Sequence, residues 1–152
     1  AYELCIRNIA SQSLTELAFV LFDIDKMKNI NDTYGHHAGD QVISLTAGCI
    51  DEIFGEAGDC FRIGGDEFCV ILTSLCDIPQ KLQNLDELIK ARNKTSFPVS
   101  VSYGWAVRRF NAGKIAETRD IIELKTASDK MLYQCKKSKV NNESEGVETI
   151  DK

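Results

Sequence analysis

The sequence predicts an α+β domain in which helices pack against a central, mostly antiparallel sheet. Six consecutive apolar residues at positions 17–22 are typical of a strand that is buried on both faces. Two further apolar runs, 61–63 and 68–72, flank a Gly-Gly pair and predict a β-hairpin with a tight turn. Segments with helical periodicity separate these strands, and 152 residues suffice for one domain with its own core.

Helices are predicted on both sides of the first strand. Residues 1–13 show a weak helical pattern of apolar side chains. Directly after the strand, residues 26–34 form a short predicted helix that ends at Gly35. Residues 41–54 carry apolar side chains at helical spacing and end at Gly55, which predicts an amphipathic helix.

Three more elements follow the hairpin. Residues 75–94 have leucines at helical spacing, and residues 97–107 alternate as expected of a strand. A polar loop is predicted at 111–119, a final helix at 120–139, and a polar, partly disordered tail at 140–152. After the weak first helix, the predicted order is therefore β-α-α-β-β-α-β-α.

Composition and charge exclude several classes of function. The net charge of −5 argues against a nucleic-acid surface, which normally carries a basic excess. No apolar run approaches the roughly 20 residues of a membrane-spanning helix, so we expect a cytoplasmic domain without membrane contact, whose full-length parent is free to carry a membrane anchor. The six cysteines include no C-x-x-C pair and are interpreted as reduced core residues.

Acidic residues mark the ends of two predicted strands. Asp23 and Asp25 follow the buried strand, and Asp66 and Glu67 lie at the hairpin tip. Mg²⁺ in proteins is often held by one or two carboxylates together with substrate phosphates. We expect only one acid of the first pair, Asp23, to face such a site, and only if the two strands are neighbours. The alternative is an ordinary turn followed by a solvated acid.

The helix predicted at 26–34 begins directly behind the first acidic pair. Its free N–H groups and positive dipole end favour an anion there, and Lys28 lies within reach of a phosphate. Asn31 supplies both hydrogen-bond donors and acceptors, and Asp40 supplies paired acceptors. From the residues alone, the alternatives are a solvated helix lysine, a helix-end asparagine and an acid at a helix start.

A longer string of motifs resembles the GGDEF domain of diguanylate cyclases. The match covers most of the chain, from about Leu17 to Lys136. Its members, in the order and spacing of that family, are Phe22-Asp23-Ile24-Asp25, Lys28, Ile30-Asn31-Asp32, Gly35-His36, Gly39-Asp40 and Gly64-Gly65-Asp66-Glu67-Phe68. The family's opening D-x-L-T-G-L-x-N-R stretch is missing, so we expect residues 1–139 to be a single GGDEF-type domain that is trimmed at its start.

The resemblance implies a fold similar to the palm of nucleotidyl cyclases and polymerases, which is ferredoxin-like, with the first strand beside the hairpin. It also implies a set of site residues. By this likeness Asp23, the Ile24 carbonyl and Asp66 hold Mg²⁺, with Mn²⁺ as an alternative, and Glu67 assists the metals or deprotonates the nucleophile. Gly64 and Gly65 admit the nucleotide, Lys28 and Lys136 contact phosphates, and Asn31 and Asp40 bind guanine.

The implied activity is condensation of two GTP molecules into cyclic di-GMP with release of pyrophosphate. It requires a homodimer, usually set by an attached sensory or receiver domain. Val140 replaces the family's phosphate-binding arginine, with Lys139 as a candidate substitute. Gly55 and Gly58 replace the R-x-x-D product-inhibition motif. The alternative function is a catalytically weak, GTP-binding module that regulates an attached domain.

Overall fold

The computed structural model describes residues 1–10, 13–74, 76–111 and 115–148. Four strands and five helices follow the predicted order in this part of the chain. They are α1 (Tyr2–Ile9), β1 (Glu16–Ile24), α2 (Met27–Tyr34), α3 (His36–Phe54), β2 (Gly58–Arg62), β3 (Glu67–Leu72), α4 (Ile78–Arg92), β4 (Val101–Arg109) and α5 (Thr118–Glu148).

The four strands form one sheet in the order β2-β3-β1-β4. All three neighbouring pairs are antiparallel. The α+β class and the position of the first strand beside the hairpin are thereby confirmed.

β1 is the central element of the core, because every one of its residues is buried. Alternate side chains of a strand point to opposite faces of the sheet. Phe22 and its even-numbered neighbours pack with α3 and α4, in one apolar cluster. Phe19 and its odd-numbered neighbours pack with α1 and α5, in a second cluster. The prediction of a strand buried on both faces is confirmed.

Several element boundaries differ from those predicted. α3 begins at His36 rather than residue 41, because the left-handed Gly35 (φ 86°) ends α2 and starts α3 at once. The hairpin turn spans four residues, 63–66, rather than the expected tight turn. β4 covers Val101–Arg109 instead of 97–107. The predicted α4 start at residue 75 lies outside the described residues, and the helix begins at Ile78 with Asp77 as its N-cap.

The last helix is longer than predicted. α5 continues past Lys139 to Glu148, so most of the stretch expected as a polar tail is helical, while residues 149–152 lie outside the described part. Residues 112–114 of the predicted 111–119 loop lie outside it as well. Although α5 has 31 residues, neither it nor another helix within the described ranges is long and apolar enough to cross a membrane.

The cysteines serve in packing. All six are free thiols, of which Cys49 and Cys69 are buried in the two apolar clusters. Burial raises the pKa of the Cys69 thiol to about 12 and that of Cys60 to about 11. Because a thiolate is the nucleophilic form, these two side chains are poorly suited to cysteine chemistry at neutral pH.

Candidate active site

β1 and the hairpin bring two acidic residues to one end of the sheet. Asp23 is in register with Glu67 across the β1–β3 ladder. The backbone N–H of Ile24 donates to the carbonyl oxygen of Asp66 over 3.1 Å. This hydrogen bond fixes the hairpin tip against the end of β1, so the adjacency that the sequence left open is present.

Lys136 of α5 supplies a positive charge at this point. Its Nζ lies 2.7 Å from Oδ2 of Asp23, whose side chain is only 12% exposed. Lys136 follows the buried Leu132 by four residues and therefore shares its helix face. Packing of α5 on the sheet thus carries the lysine to the strand end. The lysine side chain is 42% exposed, which leaves it room to move to another acceptor.

The electrostatics of Asp23 mark it as an unusual carboxylate. Burial raises its pKa above the ordinary value, and the negative charges of Asp66 and Asp25 act in the same direction. The ammonium of Lys136 opposes them through its hydrogen bond and its charge. A concentration of negative charge that one lysine does not fully balance favours binding of a further cation.

Asp25 also faces this region, contrary to the expectation that only one acid of the pair would. Residues two apart share a face of an extended chain, and both carboxylates line one cavity of about 660 Å³. Asp25 accepts hydrogen bonds from Ser100 Oγ at 2.6 Å and Ser102 Oγ at 2.5 Å. Burial would raise its pKa, but these bonds and the one from Lys139 outweigh burial and lower it.

Lys139 is held in place by two acceptors. Its Nζ lies 2.7 Å from Oδ2 of Asp25 and 2.8 Å from the carbonyl oxygen of Val101. The Lys139 ammonium is thus engaged within the protein, and its substitution for the family's arginine stays a prediction. Val140, at the arginine position itself, lines the cavity with a largely exposed side chain.

The turn leaves little room for a side chain at Gly64 but does not explain Gly65. Neither residue has a left-handed backbone; a Cβ on Gly64 would lie 2.6 Å from Oε2 and 3.3 Å from Cβ of Glu67, whereas a Cβ on Gly65 would meet no atom within 4 Å. Arg62 holds the turn instead, since Nη2 donates to the Gly65 carbonyl at 2.7 Å and Nε to that of Gly64 at 3.2 Å. The bare backbone beside Asp66 thus leaves open space that a ligand can approach.

A second, smaller cavity adjoins the hairpin on the side of α2. Lys28 and Asn31 line it together with Gly65 and Asp66. Asp40 does not, because its exposed side chain lines a groove between α3 and the end of α4. Asn31 nevertheless lies close to Asp40 in the fold. A Cβ on Gly39, the residue before Asp40, would clash with the Asn31 side chain.

The start of α2 lies between the two cavities. Its N-cap, Lys26, has a left-handed backbone (φ 57°) and its side chain makes no capping hydrogen bond. Lys26 and Asn29 line the larger cavity, whereas Met27 and Lys28 line the smaller one. The first amides of α2, and the positive end of its dipole, are therefore suited to binding an anion that reaches both cavities.

One known protein family matches most of this chain. Residues 5–142 match the family described as "Diguanylate cyclase, GGDEF domain". The chain belongs to the GGDEF family. The resemblance stated from the motifs is thus confirmed at the level of the family, and the matched range includes Asp23, Ile24, Asp66 and Lys136.

Curated relatives carry the same domain within longer chains. The GGDEF domain is 36% identical to the probable diguanylate cyclase DgcJ of Escherichia coli K12 over 84% of this chain and 25% of the relative. It is 36% identical to the probable diguanylate cyclase DgcF of the same strain, over 91% of this chain and 45% of the relative. The diguanylate cyclase DgcS of Shewanella oneidensis is 31% identical, with coverages of 85% and 42%. The chain therefore spans a quarter to just under half of the length of these relatives.

Solved structures show the same fold. The active GGEEF domain of a diguanylate cyclase from Vibrio cholerae superposes with a TM-score of 0.63 at 26% identity, covering 82% of this chain and 78% of that one. The GGDEF domain of DgcB from Caulobacter crescentus, solved in complex with c-di-GMP, superposes with a TM-score of 0.65 at 27% identity, with coverages of 82% and 72%.

Some residues of this region were not singled out by sequence reasoning. Arg62 was missed, although its place two residues before the glycine pair was a usable signal. Ser100 and Ser102 were missed as partners of Asp25, because only the β1–β4 register brings them together. A carboxylate at a strand end and hydroxyls nearly eighty residues later share no local pattern.

Proposed function

We propose that this GGDEF domain condenses two GTP molecules into cyclic di-GMP and pyrophosphate. The observation that carries the proposal is the meeting of Asp23 and the Asp66 hairpin tip, with Lys136 on Asp23 at 2.7 Å. A partly buried carboxylate, a second carboxylate on the adjoining hairpin tip and a half-exposed ammonium suit the transfer of a nucleotidyl group with its metal. Family membership supports the same reaction.

The residues present fit the Mg²⁺ that this reaction requires, or Mn²⁺ in its place. Asp23, the Ile24 carbonyl and Asp66 offer hard oxygen ligands beside the open backbone of Gly65. No three His, Cys, Asp or Glu side chains of the described residues cluster as a complete metal site. In the proposed site, nucleotide phosphates would complete the ligand set. The bound metal would neutralise charge on the reacting phosphate.

In the proposed reaction, the 3′-hydroxyl of each GTP attacks the α-phosphorus of the other. The new bond joins the 3′-oxygen to the α-phosphorus, and the bond from that phosphorus to pyrophosphate breaks. Glu67, exposed at the start of β3, assists at the metals or accepts the hydroxyl proton. Two such steps consume two GTP molecules and release two pyrophosphates.

The remaining site residues bind and orient the nucleotide. With metal held by Asp23, Lys136 would be free to turn to a phosphate, and Lys28 would contact a phosphate beside the start of α2. Asn31 binds the guanine edge, and Asp40 joins it by turning from the neighbouring groove. Gly64 and Gly65 let the backbone approach the nucleotide closely.

Catalysis by this scheme needs two domains, because each holds one GTP. We propose a homodimer that an attached sensory or receiver domain brings together, in the cytoplasm where GTP is available. Product inhibition through an R-x-x-D site is absent, because Gly55 and Gly58 offer no side chain for guanine or phosphate.

A second candidate function is a GTP-binding module that regulates an attached domain without turnover. Val140 favours it, because the cavity lacks the arginine that the family uses on phosphate. Lys139 does not compensate, since Asp25 and the Val101 carbonyl hold its ammonium. The intact acids and Lys136 favour the enzyme.

The deciding experiment is chromatography of concentrated protein after incubation with GTP and Mg²⁺. The wild type should form cyclic di-GMP, and Asp66→Asn should form none while it keeps its fold. Glu56→Gln removes the charge of an exposed acid in the turn before β2 and should leave turnover unchanged. Calorimetry measures whether GTP binds, and a leucine-zipper fusion tests whether forced dimerisation produces turnover.

Each outcome has a defined meaning. Product that disappears in Asp66→Asn alone supports the cyclase. GTP binding without product, even in the forced dimer, refutes the cyclase and supports the regulatory module. Neither binding nor turnover refutes both.

A further inference from the structure

Two ion pairs connect the end of β1 with one face of α5. Lys136 and Lys139 are one helical turn apart, and their ammonium groups lie 2.7 Å from Asp23 and Asp25 respectively. Because the aspartates are two residues apart, they project from the same side of the chain. The spacing of the lysines on α5 therefore matches that of the acids.

The two pairs differ in their freedom to exchange partners. Asp23 has Lys136 as its hydrogen-bonding cation and faces the hairpin tip with its negative charge. Asp25 has both oxygens engaged, since Oδ1 accepts from Ser102 and Oδ2 from Ser100 and Lys139. The Lys139 ammonium has a second acceptor in the Val101 carbonyl at 2.8 Å. The first pair is exchangeable, and the second belongs to a satisfied network.

We infer that the Lys139–Asp25 pair is a positioning device that keeps Lys136 in place for the nucleotide. The inference rests on the proposed function, in which Mg²⁺ and GTP separate Lys136 from Asp23. Once that contact is lost, the Lys139 network still ties this turn of α5 to the strand ends through polar contacts. Lys136 is then presented to a phosphate from a fixed helix rather than from a loose one.

The same network indicates a specific positioning role for Lys139 in this chain. The residue is next to Val140, which removes the family's arginine from the cavity. Lys139 supplies no replacement contact to phosphate in this scheme. It acts through Lys136, by holding the helix that carries it.

Steady-state kinetics of Lys139→Met separate this role from a purely structural one. Methionine keeps the length and helix propensity of lysine but removes the charge. Because a charged hydrogen bond of this kind is lost, the KM for GTP should rise about tenfold while kcat stays within a factor of about two. Lys139→Arg should recover most of the wild-type KM. Lys130→Met, on an exposed position of the same helix, should leave both constants unchanged.

Hydrogen exchange gives a readout that needs no turnover. Amides of residues 133–141 should exchange about tenfold faster in Lys139→Met than in the wild type, and at the wild-type rate in Lys130→Met. Asp25→Asn should reproduce the effect, and the double variant should be no worse than either single variant, since all remove one interaction.

Two results would overturn the inference. Unchanged exchange in Lys139→Met would show that the pair does not hold the helix. A fall in kcat at constant KM would show loss of folded protein without misplacement of Lys136. A wild-type chain that neither binds nor converts GTP refutes the proposed function instead. Hydrogen exchange then still tests whether the Lys139–Asp25 pair holds the helix.

Discussion

At Gly104 the backbone of α5 packs against the sheet without room for a side chain, and replacing this glycine with alanine tests how the site is positioned. A Cβ on Gly104 of β4 would lie closer than 3.0 Å to the Ser128 carbonyl oxygen, the Leu132 amide nitrogen and the Met131 carbonyl carbon. All three are backbone atoms of α5, so no side chain can turn away to make room. The helix as a whole must move.

The size of the effect follows from that geometry. Ordinary contact begins at 3.4 Å, so α5 must retreat by about 1 Å. Overpacking of this kind costs about 1–3 kcal/mol, and alanine recovers up to about 1 kcal/mol by restricting the unfolded chain. We expect Gly104→Ala to lower the free energy of unfolding by about 1–2 kcal/mol. Lys136 lies one turn beyond Leu132, so its 2.7 Å contact with Asp23 should lengthen as well.

Urea denaturation followed by circular dichroism measures the first effect, and kinetics of cyclic di-GMP formation measures the second. Gly48→Ala is the matched control, because a Cβ on this exposed α3 glycine would meet nothing within 4 Å. It should stabilise the protein by about 1 kcal/mol through helix propensity. A Gly104→Ala protein within about 0.5 kcal/mol of the wild type would refute the close packing of α5 on β4.

Three further predictions concern the departures from the family's motifs. Val140→Arg should lower the KM for GTP about tenfold, because a charge-assisted hydrogen bond to phosphate replaces an exposed apolar side chain in the cavity; an unchanged KM would show that position 140 does not reach the nucleotide. Added cyclic di-GMP should leave the initial rate unchanged at concentrations far above those of the enzyme, and Gly58→Asp should destabilise the fold, because a Cβ there would clash with the Ile71 carbonyl oxygen of β3. Inhibition of the wild type by cyclic di-GMP would contradict the second prediction, and a fully stable Gly58→Asp protein would contradict the third.

The fold was predictable where local pattern and tertiary structure agree. The run at 17–22 is long and wholly apolar because β1 is covered on both faces, so its burial could be foreseen. The start of α3 at His36 could not be predicted, because the stretch around Gly39 has low helix propensity. Packing accounts for it, since the helix gains close contact with Asn31 at a position where only glycine fits.

The site likewise contains residues that could be predicted from the sequence and residues that could not. Asp23, Asp66 and Lys136 stand in the motifs that carried the resemblance, and the β1–β3 pairing and the packing of α5 bring them to one end of the sheet. The Asp25 network could not be foreseen, because its members come from three elements whose register is set by long-range pairing. Ser102 is opposite Asp23 in the β1–β4 ladder, whereas Lys139 depends on how α5 lies over both strands. Asp40 shows the converse, since its motif matches but its side chain lies in another groove.

The alternation of β1 explains why these features belong together. Its even-numbered side chains complete the core with α3 and α4, while the odd-numbered series runs from Leu17 and Phe19 to Asp23 and continues to Asp25 beyond the strand. α5 covers that odd-numbered face, first with apolar residues and then with lysines where the aspartates begin. The packing that buries the helix is therefore the same packing that sets the distance between lysine and carboxylate. A change at Gly104 alters that distance by moving the helix, whereas a change at Lys139 frees its end, and the two should raise KM by separate routes.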